Sequence, residues 1–261
     1  MRLIENAYRW LIFKIGDLRW CGWKHFPFLL TWDAITPEIR GDEVLKAISI
    51  AKPGDVLVTR HEGYVDNKFI GGAMVHAAIC VGADNIVEAV SDDAGGVRRC
   101  HMIDALQADK AILLRPKHLR EEEVTEALNW AAQIIGCKYD IYFDFNTEEE
   151  QAVFKNVPLK AKYRVTFCCT EVPHFCYLNQ RDKLQLYREH NLRPLSKFLR
   201  TIGFPIGKEL LTADQYAEAE FEIVWASRGA TVEWFRLKGA SEKVLRRMEL
   251  YWCGPSVRSA D

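Results

Sequence analysis

No CxxC pair occurs in this chain of 261 residues, although it holds 8 cysteines, at positions 21, 80, 100, 137, 168, 169, 176 and 253. Their scatter shows no paired disulfide framework, and the nearest histidines do not complete a zinc spacing. The expectation is a reducing compartment at synthesis, with most thiols acting as small core residues. An excess of one charge is also missing. Lys and Arg total 35 against 36 Asp and Glu, a net charge of −1, which argues against a nucleic-acid partner and the basic footprint it leaves. No apolar run approaches the roughly 18 residues of a spanning helix. Glu5, Arg9, Lys14 and Asp17 interrupt the first apolar stretch, so it does not read as a secretory signal. Gly71-Gly72 is too little for a phosphate-cradling loop. Neither a cofactor nor a metal is expected.

What is present is ordinary for a soluble globular chain: 49% hydrophobic and 27% charged residues. A chain of this size buries roughly 75% of its unfolded surface and needs no staples. The 8 Trp gather mostly near the two ends. Residues 1–32 mix Trp, Phe and Leu with Arg and Lys, and Tyr8, Leu11, Ile12 and Ile15 share a helical face. That segment reads as a helix packing on the main domain or a partner. The alternative is an interfacial membrane segment, favoured by Trp10, Trp20 and Trp23. A second helix is expected over 37–49, opening at Pro37.

From Lys52 the texture becomes that of strands. Pro53-Gly54-Asp55 is a turn before the strand Val56-Leu57-Val58-Thr59. Strands follow at 74–81, 86–90, 97–100 and 111–115, and together they predict an antiparallel meander. Residues 120–135 carry a helical face of Val124, Leu128, Ala131 and Ile135, with Gly136 as the C′ residue. A helix is expected from near 169 to about 178, another opening at Thr212-Ala213-Asp214, a strand over 221–225, a further strand at 231–237, and a terminal helix over 241–251.

Two segments carry chemistry. In Cys168-Cys169-Thr170-Glu171-Val172-Pro173, proline is tolerated only in a helix's first turn. The helix must therefore begin close to Cys169 or Thr170. A thiol at a helix N-terminus is stabilised as thiolate, although two buried core thiols would leave the same sequence. In Met74-Val75-His76-Ala77-Ala78-Ile79-Cys80, the face of His76 holds Ala78, Cys80 and Gly82, all small, which leaves room for another element. A satisfied core histidine is the alternative. Glu88 is placed to orient the His76 ring, but only if the turn at 82–85 leaves an odd number of residues unpaired. An edge-strand Glu on the surface is the other option.

Taken together, these segments resemble the NlpC-type cysteine peptidases of the papain-like superfamily, and more nearly their circularly permuted, YiiX-like branch. The matching pieces are Lys52-Pro53-Gly54-Asp55-Val56-Leu57, the His76 strand with Val81-Gly82, Ile86-Val87-Glu88-Ala89, Tyr139-Asp140 and Cys169-Thr170-Glu171-Val172. Leu211-Thr212-Ala213-Asp214 through Trp225 matches the branch's C-terminal element. The likeness covers about 48–227. The order, with His76 before Cys169, is what permutation implies. The resemblance implies an α+β, papain-like fold in which an antiparallel sheet packs against the Cys-bearing helix. It divides the chain into an N-terminal helical and aromatic extension (1–47), the permuted catalytic domain (48–227) and a C-terminal strand and helix extension (228–261). It makes Cys169 the nucleophile, His76 the base, Glu88 the orienting residue and Tyr139 an aid to substrate or oxyanion. Cys168 and Pro173 stand where the family pattern does not require them.

The implied function is a thiol hydrolase of amide bonds, in cell-wall (peptidoglycan) peptides, through an acyl-enzyme. Two other readings stay open: a lipid-directed acyl hydrolase or acyltransferase at a membrane surface, and a structural or virion assembly protein that keeps the fold with little activity. The expected partners are a peptide or acyl substrate, with a membrane surface or protein docked through residues 1–32. Synthesis in the cytoplasm, with delivery outside by a phage particle or secretion machine, fits the wall reading.

Overall fold

The computed structural model describes residues 37–64, 67, 72–82, 84–91, 95–140, 165–187 and 212–254, and the backbone of two short strands at 19–20 and 30–31. Those two, β1 (Arg19–Trp20) and β2 (Leu30–Thr31), pair antiparallel. The helix expected around Tyr8 to Ile15 lies outside the described residues, as do Phe143-Asp144-Phe145 and the segment 188–211. In chain order the remaining elements are α1 (Gly41–Ile50), β3 (Val56–Arg60), β4 (His76–Cys80), β5 (Asn85–Val90), β6 (Gly96–His101), α2 (Met102–Ala105), β7 (Lys110–Pro116), α3 (Glu121–Ile134), β8 (Lys138–Tyr139), β9 (Thr166–Phe167), α4 (Glu171–Cys176), α5 (Arg181–Leu184), α6 (Asp214–Glu218), β10 (Phe221–Ala226), α7 (Val232–Leu237) and α8 (Glu242–Cys253).

The architecture is α+β. Six strands form one antiparallel sheet in the order β10-β7-β3-β4-β5-β6. The strands are apolar on both faces because helices cover both. Val56, Val58, Ala77, Ile79, Val87, Ala89, Ile112 and Leu114 face a core built with α3, α4, α7 and α8. Leu57, Ala78, Cys80, Ile86 and Leu113 face a smaller one built with α1 and α2. The element admitted by the small side chains on the His76 face is thus α1. The Cys-bearing helix packs on the opposite face through Val172, Phe175 and Cys176.

Three expectations are corrected. The strands are not a simple meander: β3 to β6 follow one another, but α2 carries the chain back and β7 pairs with β3 rather than β6. Of the stretch expected as a strand at 231–237, Val232–Leu237 are helix. Thr231 accepts the Trp234 N–H at 3.2 Å as an N-cap, and only Phe235 in the segment is fully buried. The Val, Trp and Phe there imitate a strand by composition, but their burial lacks the period of two that a sheet face needs. The Cys-bearing helix ends at Cys176, short of 178, and a 3₁₀ turn over Leu178–Gln180 follows.

Candidate functional site

The ladder between β4 and β5 stops at Ile79↔Val87, although β5 stays paired with β6 as far as Val90↔Gly96. Beyond that point β4 has no β5 partner, and the Cys169 thiol enters the opening. Its Sγ donates to the Val75 carbonyl at 3.6 Å, and the Ala77 backbone N–H is aimed at it. The sulfur is therefore bracketed by the backbone of the two residues flanking His76.

Local sequence builds this position. Cys169 and Thr170 form the corners of a turn closed by Glu171 N–H to Cys168 O, 3.2 Å. The Glu171 carboxylate reaches back to the Cys168 N–H at 2.8 Å, and the Tyr216 hydroxyl donates to Thr170 O at 2.5 Å. α4 begins at Glu171, so Pro173 sits in its first turn where no backbone N–H is missed. Tyr139 lies alongside, opposite Phe167 in the parallel β8–β9 pair, two residues before Cys169, and packs partly buried on the larger core.

The turn after β4 meets the parity condition. Val81 N–H bonds Asn85 O at 2.8 Å, with three positions between the two partners, an odd number, and Glu88 falls on the His76 face. His76 Nε2 stands 2.8 Å from Glu88 Oε2. The other carboxylate oxygen accepts from Arg98 Nε and Nη2, at 3.0 and 2.9 Å, and from Cys100 Sγ at 3.2 Å. Burial opposes ionisation of Glu88, but His76 above all, then Cys100 and Arg98, hold its pKa at about 2. An ionised carboxylate only accepts, so Nε2 carries a proton and donates it to Glu88.

The two sulfurs diverge. The Cys168 thiol donates to Cys169, and together with the Ala77 and Thr170 amides it holds the Cys169 thiol below its ordinary value against burial. Burial pushes Cys168 well up. Cys169 is thus the sulfur disposed to be thiolate. Among the described residues, no hydrogen bond joins its thiol to the His76 ring.

Arg98 and Cys100 were not singled out from the sequence. Their parity on β6, two apart and in register with Glu88 and Ile86, was the signal available. His174 is buried within α4.

No family model matches the sequence, and no curated protein matches it. Among solved structures, the metalloprotein YiiX from Escherichia coli O157:H7 superposes with a TM-score of 0.50 at 17% identity, over 67% of this chain and 97% of that one. The fold is YiiX-like. A metal does not fit the residues here: among those described, no group of three or more His, Cys, Asp or Glu side chains is disposed to hold one. Around Glu88, both oxygens are already taken by donors, and the Arg98 guanidinium repels a cation. No described helix is long and apolar enough to cross a membrane.

Proposed function

We propose that the chain is a cysteine-dependent acyl hydrolase that cleaves an amide bond, with cell-wall peptide as its substrate class. The observation that supports this most is the Cys169 sulfur held between the Val75 carbonyl and the Ala77 amide, the two residues that flank His76, whose Nε2 is engaged by Glu88.

The chemistry follows from these groups. In the resting state the thiol proton lies toward Val75 O. With Nε2–H bonded to Glu88, Nδ1 is the free base, and a rotation about the Cys169 side chain hands it the proton. Such hydrogen bonds are commonly loose before substrate arrives. The thiolate attacks the carbonyl carbon, the C–N bond breaks, and Nδ1–H protonates the departing amine. Water then attacks the thioester with Nδ1 as base, releasing acid and restoring the thiol. Glu88 holds the ring in its tautomer and balances the imidazolium charge. Tyr139 serves the substrate or the oxyanion beside Cys169.

The test is digestion of purified muropeptides by the full chain and by Cys169→Ala, read by mass spectrometry. The parent releases a free amine and the variant does not. Turnover of acyl lipids with no action on peptides would move the assignment to an ester or lipid amide at a membrane surface. Turnover of neither by a protein whose Cys169 is unreactive would leave an assembly role.

A further inference from the structure

The stretch leading into β4 is fastened from two sides. Asp214, the first residue of α6, accepts the Ala73 N–H at 2.6 Å on Oδ2 and the Met74 N–H at 2.7 Å on Oδ1. Arg60, at the end of β3, donates from Nη1 to both Gly72 O and Ala73 O, each at 3.0 Å. Val75 N–H then bonds Thr59 O at 3.1 Å. Every backbone group gripped here precedes the Val75 carbonyl that meets Cys169. Gly72 has φ +83, and a Cβ there would stand 2.8 Å from Asp214 Oδ2, so the carboxylate lies close against the chain.

We infer that Asp214 is a positioning residue for the Cys169–His76 site, acting through the backbone of residues 72–74, and that its ionised form holds the site in register. The inference rests on the proposed reading of that site. An ionised carboxylate offers an acceptor to each of the two N–H groups. A protonated one has a hydroxyl that turns a donor toward one of them, so one bond is lost.

Among the described residues, the charged groups facing Asp214 are Arg60 from β3 and Glu218 within α6, with Glu62 behind Arg60 at 3.4 Å from its Nε. Burial pushes the Asp214 pKa up to about 6, against the Met74 and Ala73 amides. Two consequences run in opposite directions. Because the folded pKa lies above the unfolded one, the stabilising contribution of Asp214 is fully present below the ordinary carboxylate range and is lost as pH rises through about 6. Positioning, by contrast, improves over that same rise.

The experiment is the rate of Cys169 alkylation by iodoacetamide in the full chain, parent against Asp214→Asn, from pH 5 to 8, with thermal melts alongside. The parent-to-variant rate ratio is expected to rise from about 1 at pH 5 to about 10–100 at pH 7.5, the worth of one hydrogen bond to a charged group. Over the same range the thermal stability of the variant relative to the parent improves. A merely structural role gives a ratio flat with pH, or one that follows the melts, and overturns the inference while Cys169 stays reactive. A parent whose Cys169 is not selectively alkylated overturns the reading of the site as well. If Asp214→Asn does not fold, Gly72→Ala crowds the same carboxylate from the backbone side. A cooperative melt with alkylation slowed about tenfold supports the inference, and an unchanged rate overturns it.

Discussion

Glu88 Oε2 meets His76 Nε2 at 2.8 Å across two strands whose ladder has already stopped. The pair works because β5 keeps its register with β6 there, where Arg98 and Cys100 satisfy the other oxygen. The carboxylate is thus anchored on the β6 side and free to serve the ring on the β4 side.

Glu88→Gln removes the charge that orders the ring. Alkylation of Cys169 at pH 7 is expected to fall by about 10²-fold, the low end of what a positioned base contributes. Stability falls by ~1–3 kcal/mol, since the buried Glu88 carboxylate is the charge-assisted acceptor for His76, Arg98 and Cys100. The Glu88 pKa is lowered in the fold, from 4.5 to about 2. Its stabilising contribution is therefore present above about pH 4.5 and fades as pH drops toward 2. Urea melts of parent and variant should differ most at pH 6–7 and converge on acidification. A difference that stays constant down to pH 3 contradicts the assignment.

Arg98→Gln leaves Glu88 with two donors instead of the guanidinium fork. Arg98 ranks behind His76 and Cys100 in lowering the Glu88 carboxyl, so its loss returns only a small part of the drop from 4.5 to about 2. The acid limb of Cys169 alkylation should therefore move up by a correspondingly small amount, with Arg98→Lys lying between. A limb that does not move shows that Arg98 is incidental.

Gly96→Ala tests the platform under these two residues. A Cβ at Gly96 would stand 2.2 Å from the Cys137 carbonyl oxygen, and the glycine has φ +147. The contact is with backbone, so the chain must shift where β6 meets the segment after α3. A loss of ~2 kcal/mol or more is expected, with slower Cys169 alkylation because β6 carries Arg98. An unchanged melting temperature would contradict this packing.

Phe175→Ala addresses the support of the Cys169 turn. Phe175 is fully buried and makes edge contacts with Trp130 and Phe167, at 5.5 and 5.0 Å between ring centres. The cavity should cost ~3–5 kcal/mol, measured by chemical denaturation.

The legible part of the fold was that written in local patterns. Pro173 put the start of α4 near Thr170, apolar runs between turn residues marked β3 to β7, and turn parity gave only the condition under which Glu88 shares the His76 face. Pairing between distant segments was not legible. The return of β7 to β3 depends on α2 crossing the sheet, and no periodicity encodes a crossover. Nor was the gap beyond Ile79↔Val87 visible, because an interrupted ladder and a continuous one have the same alternation. Asp214 matched a family element by sequence, but its grip on Ala73 and Met74 joins elements far apart in the chain. The helix over 232–237 was missed because β-branched and aromatic side chains outweighed a threonine cap.

In the proposed reaction Cys169, and not one of the other thiols, is the nucleophile served by His76. Limited labelling of the full chain at pH 7 with an iodoacetamide probe, mapped by peptide mass spectrometry, tests it. Cys169 is expected to take most of the label, Cys169→Ala to lose it, and His76→Ala to slow it by about 10²-fold. Equal labelling of parent and Cys169→Ala, or labelling indifferent to His76, would contradict the account.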